Sequence, residues 1–574
     1  MRQFRFSPAL PERPAITPGD GVIVLGITTI LYAGARLALR VPQVIAGPDI
    51  SLSPAALPWY VLLSVGRMAI AYILSLLFSL FYGYAAARNR TARTVLMPLL
   101  DVLQSVPILS FLPIVLLSLS AILPQAFAAE LAAIVLIFTS QAWNMTFSFY
   151  QSMTTIPTEM REAAAVFRFN PWLRFKIVEL PFAAIGLLWN SMMSWSGGWF
   201  FLMASEIFNV GSRDFRLPGI GSYLQTAANT GNLYAVVLGV TALVLVIVLL
   251  DQLLWRPMIA WTDKYKVEMV EGDEPPRSWF LDLISRSWIV EQFGERVWRP
   301  FSEWVDRAFQ RRAGGIVAAP EPRAEDRPSK LALAILTGFS LLALYGGYRA
   351  ADLLATLPVS AWAELAKGII ATFARVSVAL AITLVWTIPV GVLIGTNRKL
   401  ATVLQPIVQV VASIPATALF PVVLIALLQV PGGLNIAAVL LMLMGTQWYL
   451  LFNVIAGASA IPKDLRDTTD MLRLPLLDRW RTLILPALFP YIITGSITAS
   501  GGAWNASIVA EHVEFGGETH ATTGVGALIA QATGTGDYAS LLAGTLALVF
   551  TVILINRTFW RQLYRLAEQR YRME

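Results

Sequence analysis

The chain carries one pattern twice at a fixed offset. Glu162-Ala163-Ala164 is followed by Leu180-Pro181, and Asp467-Thr468-Thr469 is followed at the same distance by Leu485-Pro486. Around that anchor Ile156-Pro157 matches Ile461-Pro462, Arg168 matches Arg473, Trp199 matches Trp504, Glu206 matches Glu511, and Trp255-Arg256 matches Trp560-Arg561, each pair 305 residues apart. Upstream, Arg67, Gly83, Asn89-Arg90, Ser105, Pro107 and Pro113 match Arg375, Gly391, Asn397-Arg398, Ser413, Pro415 and Pro421 at 308 residues. One loop therefore differs by 3 residues. A constant offset over both halves marks a tandem duplication. In an apolar chain it points to two membrane domains paired around one path.

The chain is apolar. Hydrophobic residues make up 56%, charged residues 14%, and the mean hydropathy is +0.63. A soluble domain averages roughly 25% charged residues. Apolar runs of bilayer-spanning length recur, which predicts an all-α integral membrane protein with about 12 helices. The first half reads as helices at about 20–40, 58–87, 94–120, 126–153, 181–207 and 233–258. The second reads as about 331–353, 361–396, 402–428, 434–459, 486–511 and 538–562. The organisation expected is a segment 1–19, a domain 20–258, a linker 259–330, a domain 331–562 and a tail 563–574. Pro107, Pro113, Pro415 and Pro421 predict kinks in the third helices. With no cysteine, disulfides and thiolate sites are excluded. Residues 1–20 lack the apolar core of a cleavable signal peptide.

Basic residues set the expected orientation. Arg88, Arg90, Arg93, Arg161, Arg168, Arg174 and Lys176 lie in short loops, as do their counterparts in the second half, and such loops stay cytoplasmic. Both termini and the linker are then inside. The net charge of +7 is mostly this topological signal, and nucleic acid is not an expected partner. In the linker, Val297, Phe301, Trp304, Val305 and Ala308 share one helical face, which predicts an amphipathic helix at the bilayer surface. Residues 313–330 are rich in Gly, Ala and Pro and read as a flexible run.

The repeated motif, in a cytoplasmic loop between two membrane helices, resembles that of the permeases of binding-protein-dependent ABC importers. The wider spelling is most similar to the nitrate/taurine/sulfonate branch: Asn89-Arg90 or Asn397-Arg398, Ser105-Val106-Pro107 or Ser413-Ile414-Pro415, and Gly219-Ile220-Gly221 or Gly524-Val525-Gly526. The resemblance implies a duplicated six-helix type I importer domain in a bacterial inner membrane. It also implies that Glu162, Ala163, Ala164, Arg168, Leu180 and Pro181, with Asp467, Thr468, Thr469, Arg473, Leu485 and Pro486, form coupling elements. These would dock on two separate ATPase subunits, which carry ATP and Mg, while a periplasmic or lipid-anchored binding protein delivers substrate. This chain has no phosphate-binding loop of its own. Two departures stand out. The family has Gly where Arg168 and Arg473 stand. Arg favours helix over Gly by about 1 kcal/mol, so a longer coupling helix is expected. The second half also has Asp-Thr-Thr for Glu-Ala-Ala.

Glu162 and Asp467 read as lying near the starts of their helices, where the dipole favours a carboxylate. Pro181 and Pro486 suit a first helical turn. On the fifth helices, Asn190, Ser194, Trp195 and Trp199 in one half and Ser500, Trp504 and Asn505 in the other offer hydroxyls, amides and rings to a small anion. They serve equally for close helix packing. No ionisable residue interrupts the middle of a span. Glu206 and Glu511 fall at the outer rim, as gate or binding-protein contacts or as solvated helix ends. His512 and His520 share an acidic outer loop, whose spacing fits no standard zinc pattern. The alternative to an ABC permease is a secondary transporter of two parallel six-helix repeats.

Overall fold

Each half begins with a helix that finds its partner in the other half. In the computed structural model α1 (Pro18–Ala38) packs along α11 (Lys330–Leu354). The Thr29 hydroxyl donates to the Ala343 carbonyl at 3.0 Å, and a Cβ on Gly346 would land on the Thr29 side chain. Small residues here let two membrane helices approach closely. The structure describes residues 18–38, 47–210, 213–265, 278–285, 287, 292, 295–296, 299–313, 330–427, 429–459, 461, 463–515 and 518–570. Expectations on residues 1–17, on Val297 and on the run 314–329 lie outside them.

The first half continues with α2 (Leu57–Arg88), α3 (Arg90–Ser105), α4 (Ile108–Ser120), α5 (Gln125–Thr154), the loop helix α6 (Thr158–Val166), α7 (Leu180–Glu206), α8 (Ile220–Asn229) and α9 (Leu233–Leu250). After the linker helix α10 (Arg299–Ala313) and α11, the second half repeats the order. It runs through α12 (Val359–Thr396), α13 (Arg398–Ser413), α14 (Ala416–Leu427), α15 (Gly433–Ser459), the loop helix α16 (Lys463–Met471), α17 (Leu485–Ala510), α18 (Val525–Thr535) and α19 (Tyr538–Ile555). Two short hairpins follow the fifth helices: β1 (Asn209–Val210) with β2 (Arg213–Asp214), and β3 (His512–Phe515) with β4 (Glu518–Ala521).

Among the described residues, eight helices are long and apolar enough to cross a membrane, fewer than the twelve runs read from the sequence. The third run of each half is broken in two. Pro107 and Pro415 lack the N–H a continuous helix needs and force an extended neighbour. Pro107 itself is extended at φ −63°, ψ 116°, and so is Ile414 at φ −72°, ψ 117°. Pro113 sits inside α4 and Pro421 inside α14 without ending either. The amide of Ile108, freed by the break, donates to the Asn505 side chain of the other half.

The two halves meet through one large apolar cluster. It gathers Leu109 and Leu112 of α4, Phe201 of α7, Leu441 of α15 and Trp504 of α17.

Candidate functional site

The two loop helices share one design. In α6 the first-turn carboxylate is Glu159, whereas Glu162 lies mid-helix, so the expected end position of Glu162 is corrected. Its side chain and that of Ala163 are exposed, while Ala164 is buried. In α16 Asp467 and Thr468 are exposed and Thr469 is buried, its hydroxyl donating to the Arg466 carbonyl at 2.7 Å. Of the two Ala-to-Thr changes, only Thr468 therefore alters the outer surface.

Both loop helices stop at an arginine. Arg168 has φ 51° and Arg473 has φ 48°, the only non-glycine residues with positive φ among those described. The Phe169 amide reaches back to the Ala164 carbonyl at 3.0 Å, and the Arg168 amide to the Ala165 carbonyl at 3.0 Å. That is the paired closure of a left-handed helix stop, a place usually held by glycine. Leu474 to Thr469, at 3.2 Å, repeats it. The longer helix expected from arginine's propensity is thus overturned. Tertiary geometry demands the stop, and arginine adopts the left-handed state at a cost of about 1–2 kcal/mol. Just before it the tips are apolar and bare: Val166 is 79% exposed and Met471 84%.

Leu180-Pro181 and Leu485-Pro486 do not begin their helices afresh. A π-helical turn, Phe175–Glu179 or Trp480–Ile484, leads straight in, and the Leu180 amide bonds five residues back to the Phe175 carbonyl. Proline's missing donor is absorbed by this wider turn, so each loop is rigidly continuous with its fifth helix. Glu179, unremarked in the sequence, is buried there. It pairs with Arg88 at 2.5 Å and Arg174 at 2.9 Å, tying α2 to the root of α7.

The halves differ in what covers these loops. Asp306 of α10 accepts from the Trp172 indole at 2.8 Å and from Lys176 at 2.6 Å. The Lys176 ammonium and the Trp172 N–H hold the Asp306 carboxyl below the usual carboxylate range. Phe301 and Trp304 stay exposed on α10, stacked 6.1 Å apart. The positions equivalent to Pro171 and Trp172 are Leu476 and Leu477, which stand 74% and 61% exposed.

The structure does not gather the expected path residues into one group: Trp195 and Trp199 belong to one apolar cluster and Trp504 to another. Trp199 and Trp504 are fully buried. Trp195 packs with Tyr72 and Trp255 in an aromatic triad at 5.6–5.9 Å, whereas the second half has Leu380 and Ser500 at the first two positions. Ser194 Oγ and Trp195 Nε1 are buried with no hydrogen-bond partner. Asn190 donates to Gly186 of its own helix at 3.0 Å, and Asn505 serves the broken end of α4. Asp251, near the end of the sixth helix of the first half, is buried beside Trp195 and pairs with Arg256 at 2.9 Å. The spans are thus less free of charge than the sequence reading held.

At the opposite end of the bundle, Glu206 and Glu511 are not solvated helix ends. Glu206 is 0% exposed. It accepts from Arg67 at 2.8 Å, Ser64 at 2.6 Å and the Gly221 amide at 2.7 Å. Arg67 also binds Glu130 at 2.6 Å and the Pro218 carbonyl at 2.9 Å. In the second half Glu511 accepts from Arg375 at 2.6 Å, Thr372 at 2.7 Å and the Gly526 amide at 2.9 Å, and Asn435 replaces Glu130. The glycine motifs now have a reason: a Cβ on Gly219 or Gly524 would collide with the carboxylate. A common ligand for His512 and His520 is excluded by register. His520 pairs with Val513, so it lies on the hairpin face opposite His512.

This is a duplicated helical membrane domain with a rigid loop helix under each fifth helix. The family described as binding-protein-dependent transport system inner membrane component matches residues 75–256 and again 387–573. The chain belongs to that family. It is similar to the bicarbonate transport system permease protein CmpB of Synechococcus elongatus, 34% identical over 147 residues, 26% of this chain and 51% of that protein. It is also similar to the nitrate import permease protein NrtB of Synechocystis sp., 32% identical over 143 residues, 25% and 50% of the two chains. With NrtB of Leptolyngbya laminosa the identity is 29% over 188 residues, 33% and 64% of the two chains. The matches span about half of the first two relatives and 64% of the third.

Proposed function

We propose that the chain is the membrane-spanning subunit of an ATP-driven importer and forms the path for a small anion such as nitrate, bicarbonate or a sulfonate. The observation that carries this reading is the pair of loop helices. Each presents an exposed carboxylate, Glu162 or Asp467, and a bare apolar tip, on a stem continuous with a helix of the path. A self-contained secondary transporter has no use for two such surfaces. Each loop helix docks on one ATPase subunit, where ATP and Mg bind, and closure of the ATPases tilts α7 and α17. A separate binding protein delivers the anion at the end that holds Glu206 and Glu511, whose ion pairs hold the outer gate. Residues 20–258 and 331–562 are the two permease domains, with both termini and the linker on the cytoplasmic face. The relatives named for bicarbonate and nitrate support the anion class. So does the lining, which offers hydroxyls, amides and indole N–H groups. The test is ATP-dependent uptake of nitrate and of bicarbonate into vesicles carrying the chain with its ATPase and binding protein. Accumulation of one of them supports the reading. ATP-independent uptake driven by an ion gradient overturns it.

A further inference from the structure

Tyr449 of α15 lies against both fifth helices. A Cβ on Gly197 of α7 would sit 2.6 Å from the Tyr449 hydroxyl oxygen, and a Cβ on Gly502 of α17 would sit 3.6 Å from its ring carbon Cε2. Gly197 and Gly502 are equivalent positions, 305 residues apart. One ring therefore touches the same point on both fifth helices. The next position on α17 is open: a Cβ on Gly501 would meet nothing within 4 Å. The residue equivalent to Tyr449 in the first half is Asn144. Only the second half supplies a ring at this position.

We propose that Tyr449 is the gate of the anion path, its ring closing the gap between Gly197 and Gly502. The inference rests on the reading of the fifth helices as path helices. The glycines are then required for the seal, because any side chain at position 197 displaces the phenol. When α7 and α17 tilt apart, the ring loses its two-sided contact and is free to turn about χ1 out of the gap. An aromatic plug of this kind blocks ions by excluding water.

The experiment is passive efflux of entrapped nitrate from proteoliposomes that hold the full chain, without ATP. Tyr449→Ala is expected to raise efflux about tenfold or more over the wild type, and Gly197→Ala is expected to raise it less. Tyr449→Phe, which keeps the ring, is expected to stay as tight as the wild type. Monodisperse elution of each variant shows that the chain is folded. A folded Tyr449→Ala variant as tight as wild type overturns the proposal, and so does a Tyr449→Phe variant that leaks as much as Tyr449→Ala. The efflux needs no ATPase. A leak in Tyr449→Ala alongside absent ATP-driven uptake in the wild type leaves the gate standing and overturns only the importer reading.

Discussion

Arg67 Nη1 lies 2.8 Å from Glu206 Oε1, and both side chains are buried. The pair staples α2 to α7, and Glu206 reaches on to the first turn of α8 through the Gly221 amide. One carboxylate thus orders three elements at the end of the bundle away from the loop helices. Its second-half twin is Arg375 with Glu511.

Removing one partner of a buried pair strands the other charge, which costs about 3–5 kcal/mol. Glu511→Ala leaves Arg375 with neutral partners alone, Asn435, Thr522 and the Thr523 carbonyl, and is therefore expected to destabilise the purified chain by that order, measured by denaturation in detergent. Glu206→Ala is expected to cost less, because Arg67 keeps the Glu130 carboxylate and the Pro218 carbonyl. Equal losses from the two variants would count against this account of the asymmetry.

Arginine in a left-handed stop is strained, and glycine is not. Arg168→Gly and Arg473→Gly are each expected to stabilise the isolated chain by about 1 kcal/mol. We expect both to weaken ATPase binding, since an exposed guanidinium kept against strain implies a partner. Tighter melting with unchanged ATPase affinity would show that the arginines serve no docking role.

The linker latch is expected to hold across neutral pH. Asp306 has its carboxyl pK held down by Lys176, so its contribution is present above the unfolded value and is lost as pH falls through the lower folded value. That window lies below about pH 4. Hydrogen exchange over 299–313 should not change between pH 6 and 8, and Asp306→Ala should speed it at every pH in that range. A wild-type transition near neutrality would contradict the latch.

The two walls of the proposed path are unlike. Trp195→Ser removes the centre of the aromatic triad with Tyr72 and Trp255, and Ser500→Trp inserts an indole where none is seated. Each is expected to change ATP-driven uptake or substrate-stimulated ATPase rate. If neither quantity moves in either variant, these residues only pack.

Much of this was legible in the chain. The duplication, the helical membrane fold and the two loop motifs follow from spacing and hydropathy, because each is a local pattern. Pro107 and Pro415 signalled the third helices' disruption, but a break and a kink read alike until the flanking residue's conformation is seen. Long-range pairs were hidden. Arg67 and Glu206 are 139 residues apart, and Lys176 and Asp306 are 130 apart. One signal was present: Arg67, Glu206 and Gly221 all recur as Arg375, Glu511 and Gly526, a polar set kept together in both copies. The stop at Arg168 defeated propensity, since closure of the loop onto its stem outweighs about 1 kcal/mol of helix preference.

The most direct measurement is the ATPase content of the chain purified from its native membrane, for the wild type and for Glu162→Arg combined with Asp467→Arg. Both positions are exposed, so the double variant is expected to fold. The account predicts two ATP-binding subunits per wild-type chain and none on the double variant. A double variant that retains its ATPases would contradict it.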